Sequence, residues 1–363
     1  MDSPGKIILN QAEKINMNYI KTIRPTFLTC SGITFVIIFF LITGPRPSSA
    51  EESRDYIFTT ATTGGTFYPV GVALATLTKV KLQPKHRISL SAISSAGSGE
   101  NLELMRENEA QFGILQGLYG SWAWSGKGKL QNLGPQEYLR SITMLSQNVE
   151  HFVIKSDHVR TGTVYDLKNI KGKRFSIGKK FSGTEGSGIH ILLRLGFQPE
   201  KDFTLVNLGY SESADGIQNG TIEGMNIPAG LPVSAITRAF TALGKDVTIL
   251  NFTEKQLQAI NQGYNLWNQY IIPSNTYPGQ DNQIKTIAQP IFLAVREDVD
   301  EDAVYRIVKT IYGNLEFLSN IHPATNDMSL ERAIKGLPLP LHPGAARFYR
   351  EQGIIIPDQL IVK

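Results

Sequence analysis

The chain has 363 residues, 41% of them hydrophobic and 19% charged, which suits about two globular domains and excludes a disordered or fibrous protein. The chain has 36 basic and 32 acidic residues. The first 50 positions hold five of the basic and two of the acidic residues, so the rest of the chain has 31 basic and 30 acidic residues. A chain so close to neutrality lacks the positive charge that neutralises phosphates, so nucleic acid is excluded as a partner.

The first predicted element is an apolar segment at 27–44, which follows Lys21 and Arg24. A positive flank before a short apolar run is typical of an export signal, and the small residues Ser48 and Ala50 predict cleavage after Ala50. The segment is also long enough for an uncleaved membrane anchor, and a buried core helix is a third interpretation. With either a signal or an anchor, the rest of the chain is expected outside the cytoplasm, in a periplasmic or other extracytoplasmic location.

The only cysteine, Cys30, lies inside this segment. Disulfides, cysteine-ligated metals and a cysteine nucleophile are therefore excluded from the rest of the chain. We expect neither a cofactor nor a bound metal.

After residue 53 the sequence alternates β-rich runs with amphipathic helical stretches, which predicts an α/β fold with largely parallel sheets. The predicted strands lie at 56–62, 87–93, 112–116, 152–154, 174–177, 204–207, 224–227 and 284–296.

Three of the predicted strand-to-helix turns are glycine- and hydroxyl-rich: residues 62–69, 94–101 and 181–187. The first N–H groups of a helix lack intrahelical partners and carry partial positive charge, so they accept a carboxylate or phosphate. Three converging helix starts would hold a dicarboxylate without an arginine. The alternative is that Ser and Thr in each turn only cap their own helix.

The sequence resembles the solute-binding subunits of TRAP transporters of the TAXI type (TRAP-associated extracytoplasmic immunoreactive proteins) over about residues 56–353. The residues that carry the resemblance are GGTFYP at 64–69 with Gly71, GS at 97–98 with NL at 101–102, DLK at 166–168, GKR at 172–174, SGTE at 182–185, AG at 229–230 with Pro232, TYPGQ at 276–280 and HPGA at 342–345.

The resemblance implies a two-lobed periplasmic-binding-protein fold of the second type, with mixed sheets flanked by helices. Lobe one is expected at 53–148 plus 281–363 and lobe two at 149–280. The implied ligand is a small carboxylate such as glutamate, glutamine or 2-oxoglutarate, enclosed between the lobes by a monomer and delivered to membrane permease subunits of the TRAP type.

The candidate ligand-binding residues come from the turns and strand ends of both lobes. In lobe one they are Gly64, Gly65, Thr66, Tyr68, Ser98, Asn101 and Gln116, and in lobe two they are Ser182, Gly183, Thr184, Glu185, Ala229 and Gly230. Tyr68 could instead be a core ring, and Gln116 could only satisfy a neighbouring backbone group. Glu185 is expected to support its helix start or to meet a ligand amino group, since it would repel a second carboxylate.

An enzyme is the first rival hypothesis. The six histidines include no pair at the metal-binding i, i+4 spacing, and the sequence has no Gly-x-Ser-x-Gly elbow. We therefore expect no catalytic residues. The second rival is a membrane-anchored ligand sensor or adaptor with the same binding fold, which would require residues 27–44 to stay uncleaved.

Overall fold

The computed structural model describes residues 53–362, so the predicted signal or anchor lies outside the described residues. Within 53–362, no helix is long and apolar enough to cross a membrane.

Eleven β-strands lie in this part of the chain. They are β1 (Arg54–Thr59), β2 (Ile88–Ile93), β3 (Phe112–Gln116), β4 (Leu139–Val149), β5 (Phe152–Lys155), β6 (Arg174–Ser176), β7 (Thr204–Val206), β8 (Gly224–Asn226), β9 (Val247–Ile249), β10 (Asn268–Ile272) and β11 (Ile284–Arg296).

Eleven α-helices accompany them, along with short 3-10 turns. They are α1 (Phe67–His86), α2 (Ser98–Arg106), α3 (Gly117–Ser125), α4 (Gly183–Arg194), α5 (Pro199–Asp202), α6 (Tyr210–Gln218), α7 (Ser234–Leu243), α8 (Glu254–Ile260), α9 (Glu301–Tyr312), α10 (Leu315–Ile321) and α11 (Pro343–Glu351).

The strands form two mixed sheets. The first has the order β10-β11-β3-β1-β2, with β4 also paired to β11, and the second has the order β7-β6-β8-β5-β9. We call the first sheet with α1, α2, α3, α9, α10 and α11 the first half, and the second sheet with α4, α5, α6 and α7 the second half. The expectation of largely parallel sheets is wrong, because β11 and β5 each run antiparallel to every strand they pair with.

Helices cover the sheets because the strands bury both of their faces. In β5, Phe152 and Ile154 belong to one hydrophobic cluster and Val153 to the other, and all three are fully buried. Alternate residues of a strand point to opposite faces, so apolar runs of this kind need a layer on each side. The connections from β1, β2, β3 and β6 start helices at the carboxyl ends of the strands, the usual place for a ligand in such sheets.

The predicted strands are confirmed with small shifts at their ends: β3 and β11 have the predicted bounds, and β1 ends at Thr59 rather than at residue 62. The sequence did not predict β4, β9 or β10. Although β10 falls within the expected lobe two, it pairs with β11 in the first sheet. The lobe boundaries themselves stay a prediction.

Candidate functional site

The three glycine- and hydroxyl-rich turns all open helices, as predicted, and residues from all three line one cavity. Helix α1 starts at Phe67, α2 at Ser98 and α4 at Gly183. The predicted residues that line the cavity are Gly65, Thr66, Ser98, Gln116, Ser182, Gly183, Thr184 and Ala229. The structure therefore brings together eight of the thirteen candidates, drawn from both halves.

The helix starts differ in how their first N–H groups are satisfied. Ser182 caps α4, since its Oγ accepts from the backbone N–H of Glu185 at 3.0 Å. No side chain of the described chain caps α1 or α2. The capping interpretation is therefore correct for the Glu185 amide of α4, and the Glu100 amide of α2 donates to the Phe181 carbonyl at 3.0 Å. The amides that precede them in α2 and α4, and the first amides of α1, keep their capacity to bind an anion.

The charge of the cavity is positive. Lys179, which lies between β6 and Ser182, is the one cationic residue among the described residues that line the cavity, and no acidic residue is among them. Its side chain is exposed. A cavity with a lysine, helix amides and hydroxyl groups but no carboxylate favours an anion.

Two glycines allow the halves to approach closely at the cavity. A Cβ added to Gly183 would lie 2.6 Å from Oε1 of Gln116, and one added to Gly97 would lie 3.5 Å from the backbone nitrogen of Gly183. Gly97 also has a φ of +126°, a conformation that other residues rarely adopt. The sequence in these turns therefore permits contact between α2 and α4 across the cavity.

Hydrogen bonds between the halves close the cavity. Thr66 Oγ1 donates to the carbonyl of Gly230 at 3.1 Å and accepts from its N–H at 3.0 Å. The Tyr119 hydroxyl donates to the Ser182 carbonyl at 3.1 Å. The free volume of the cavity is about 30 Å³, room for one or two water molecules, so a carboxylate enters only when the halves move apart. The structure therefore shows the two halves in a closed arrangement.

Gln116 contributes an unused acceptor to this cavity. Its side chain is 2% exposed, and its Oε1 has no hydrogen-bond partner among the described residues. Its backbone N–H donates to Ser98 Oγ at 3.0 Å. Since a buried polar atom without a partner costs free energy, Gln116 is suited to a ligand group that supplies the missing bond.

Five predicted residues lie away from the cavity lining. Tyr68 is half-buried behind it, and its neighbour Phe67 lines the cavity instead. Gly64 packs against Ser211, and Gly230 contacts Thr66. The Glu185 carboxylate accepts from the N–H of Phe181 and pairs with Lys129 at 2.9 Å, which agrees with the expected support of a helix start.

Asn101, the fifth of these residues, ties three segments of the first half together. It is fully buried, and its Oδ1 accepts from Thr59 Oγ1 at 2.7 Å and from Ser95 Oγ at 2.6 Å. Its Nδ2 donates to the carbonyls of Thr60 and Ile114 at 2.7 and 2.8 Å. With every side-chain lone pair and proton engaged, Asn101 holds the turn in place and has no group left for a ligand.

Sequence reasoning did not select several residues that line the cavity: Ala61, Thr62, Phe67, Ala96, Gly97, Lys179, Gly209, Tyr210 and Pro228. Tyr210 opens α6 just after β7, so it belongs to a fourth strand-to-helix turn. Its hydroxyl donates to the Pro228 carbonyl at 2.6 Å and lies 2.8 Å from Thr184 Oγ1. Burial raises the pKa of Tyr210, which keeps the phenol neutral. The signal for this turn was Gly209, two residues after the predicted strand 204–207.

The described residues contain no group of three or more His, Cys, Asp or Glu side chains that could hold a metal ion. Tyr277, which belongs to the TYPGQ segment at 276–280, does not line the cavity. It is buried, and its hydroxyl lies 2.8 Å from His151 Nε2.

The family model described as NMT1-like matches residues 58–353. Among solved structures, the chain is similar to MatC from Rhodopseudomonas palustris with bound malate, at a TM-score of 0.50 and 12% identity over 82% of this chain and 98% of that one. It also matches the periplasmic aliphatic sulphonate binding protein SsuA from Escherichia coli, at a TM-score of 0.42 and 13% identity over 83% and 84% of the chains. The fold, two mixed sheets flanked by helices, is of the periplasmic-binding-protein type.

Proposed function

We propose that this chain, which belongs to the NMT1-like family, is an extracytoplasmic solute-binding protein that encloses a small carboxylate between its two halves. The observation that carries the proposal is the cavity itself. Helix starts from both halves meet there beside Lys179, and no acidic residue is among its described lining residues. Such a cavity binds a solute and holds no group arranged for covalent chemistry, so we propose no catalysed reaction.

The ligand we propose is a glutamate-, glutamine- or 2-oxoglutarate-like carboxylate. One helix start contributes only about 0.3 to 1 kcal/mol to an exposed anion, and up to about 2 when it is partly buried. The helix starts, the Lys179 ammonium group and the Ser98 hydroxyl supply the donors for the carboxylate. The protons of Thr66 and Thr184 are already engaged by the Gly230 carbonyl and the Tyr210 hydroxyl. The malate bound by MatC is a solute of this class on the same fold.

The partner we propose is a TRAP-type membrane permease, as the TAXI resemblance implies. A solute-binding protein of this kind works outside the cytoplasm, in agreement with an export signal that is cleaved after Ala50. If residues 27–44 stay uncleaved, the protein is attached to the inner membrane and the same cavity faces the periplasm.

A ligand panel tests the proposal. The melting temperature of the purified full chain is measured with glutamate, glutamine, 2-oxoglutarate, malate, phosphate, an alkylsulfonate and a neutral sugar. A solute that binds only the folded state stabilises it by about 2.7 kcal/mol at a hundred times its Kd, which raises Tm by several degrees. We expect a shift with a carboxylate that is reduced in Ser98→Ala. A shift with the sugar alone would contradict an anionic ligand, and no shift with any compound would contradict solute binding.

A further inference from the structure

A buried carboxyl group lies in the link between β4 and β5, which connects the two halves. Glu150 is 0% exposed, and four neutral side chains face its carboxyl group: Ser187, Asn226, Trp267 and Gln289. Asn226 Nδ2 donates to Oε2 at 3.1 Å. The other carboxylate oxygen, Ser187 Oγ, Trp267 Nε1 and Gln289 Nε2 have no partner within hydrogen-bond distance among the described residues.

These four side chains come from both halves of the molecule. Ser187 lies on α4 and Asn226 on β8, in the second half, whereas Gln289 lies on β11 of the first sheet and Trp267 directly precedes β10. No cation is among the groups that face the carboxyl. Burial without a counter-ion raises the pKa of Glu150 to about 7, so its protonated and ionised forms are close in free energy near neutral pH.

The carboxyl group lies close to the proposed anion site. Ser187 follows Thr184 by three residues on α4, which is about 4.5 Å along the helix axis. An anion at the start of α4 would therefore lie on the order of 10 Å from Glu150. At that separation inside a protein, the repulsion between two negative charges raises the proton affinity of the carboxylate about tenfold.

We infer that Glu150 binds a proton when an anion enters the cavity, so that solute capture is coupled to proton uptake. This inference rests on the proposed function. The proton comes from the solvent, and the same proton is released when the anion leaves.

Burial shifts the pKa values of the histidines and tyrosines near Glu150 away from neutrality. His151 is adjacent, with its Nδ1 2.8 Å from the Val149 carbonyl, and burial lowers its pKa to about 4. His190 stacks on Trp267 at 5.2 Å, and burial lowers its pKa as well. Burial raises the pKa values of Tyr210 and Tyr277. Glu185, on the same helix as Ser187, is paired with Lys129.

The pH dependence of binding follows from these values. Below the pKa of the anion-free protein Glu150 is already protonated, and affinity is at its maximum. As the pH rises through about 7 and beyond, the ionised carboxylate opposes the anion, and the Kd should increase roughly tenfold between pH 6 and pH 9.

Calorimetry in several buffers tests the inference. Binding of malate and of 2-oxoglutarate to the full chain is measured at pH 7 in Tris, bis-Tris and imidazole, which have different ionisation enthalpies and no anionic group. The slope of the binding enthalpy against the ionisation enthalpy gives the number of protons exchanged. We expect uptake of roughly 0.4 proton per anion.

Glu150→Gln keeps the shape and removes the ionisation, so it should bind the anion with an enthalpy that is independent of the buffer. Glu331→Gln is the matched control: this carboxylate is exposed and pairs with Lys335 at 2.9 Å, and the variant should keep the wild-type slope. If Glu150→Gln does not fold, Ser187→Ala replaces it. That variant removes one hydrogen-bond donor from the ionised carboxylate, which raises its pKa. The increase of the Kd should therefore occur at higher pH.

The outcomes separate the two proposals. Anion binding with buffer-independent enthalpy in the wild type overturns the coupling and leaves the proposed function intact. If the binding enthalpy of Glu150→Gln still depends on the ionisation enthalpy of the buffer, another group binds the proton and the role of Glu150 is overturned. The absence of binding by any anion of the panel overturns the proposed function and the coupling with it.

Discussion

Some side chains line the cavity, and others stabilise the turns that form it. Lys179 and Asn101 represent the two classes. Lys179 is exposed, and its ammonium group makes no hydrogen bond or ion pair with another described residue. Asn101 is fully buried with four hydrogen bonds. Replacing the first should therefore change affinity, and replacing the second should change stability.

Lys179→Gln should weaken binding of the carboxylate about two- to fivefold, because an exposed charge pair contributes about 0.4 to 1 kcal/mol. Isothermal titration measures the change in Kd. Lys180→Gln is the matched control, since Lys180 is equally exposed and does not line this cavity. Equal losses in the two variants would mean that only the general charge of the surface matters.

Asn101→Ala should lower the free energy of unfolding by about 3 kcal/mol, because it leaves the buried carbonyls of Thr60 and Ile114 without donors. Urea denaturation of the ligand-free protein measures this loss. In Asn169→Ala, an exposed side chain with one hydrogen bond to His158 is removed, and the loss should stay below about 1 kcal/mol. Unchanged stability together with lost binding would instead make Asn101 a ligand residue.

At the scale of the elements, the carboxyl ends of parallel strands place three helix starts at one cavity. The starts of α2 and α4 approach each other across it, and glycine at 183 leaves the space that Gln116 occupies. A side chain at this position is incompatible with the closed arrangement, although nothing in the local backbone forbids it, since the φ of Gly183 is not positive.

Gly183→Ala should therefore weaken anion binding by at least about tenfold, while the stability of the ligand-free protein changes by no more than about 1 kcal/mol. Titration calorimetry and thermal unfolding measure the two quantities. Gly216→Ala serves as control, because its nearest neighbour, Ile222, is a flexible side chain 3.3 Å from the added Cβ and α6 contacts the cavity only at Tyr210. Wild-type affinity in Gly183→Ala would show that α2 and α4 do not need to meet.

At the scale of the whole molecule, the halves form two sheets joined by the β4–β5 link and by the segment from β9 to β10. The closed arrangement is stabilised by few direct bonds, such as those of Thr66 to Gly230 and of Tyr119 to Ser182. An enclosed ligand would add contacts to both halves at once. Ligand should therefore shift the population toward the closed form.

Small-angle X-ray scattering should show a smaller radius of gyration when the full chain is saturated with the carboxylate that raises its melting temperature. The physical reason is that only the closed arrangement contacts the ligand from both sides. Gly183→Ala at the same ligand concentration should show less compaction. Identical scattering curves with and without ligand would contradict ligand-driven closure.

The sequence by itself determined the features that a few neighbouring residues encode. Alternating apolar residues identified eight of the strands, and glycines with Ser or Thr identified the starts of α1, α2 and α4, because periodicity and turn chemistry are local. The resemblance to the TAXI proteins gave the two-sheet architecture. The short strands β9 and β10 were not predicted, since their pairing partners rather than their own residues define them.

Only the tertiary structure decided which residues meet. It placed Phe67 rather than Tyr68 at the cavity, added Lys179 and Tyr210, and assigned Asn101 to the scaffold. It also surrounded Glu150 with donors from both halves, which no local pattern signals. The physical reason is that a site and a pKa depend on burial and on groups more than a hundred positions apart in the chain, which are brought together only by packing.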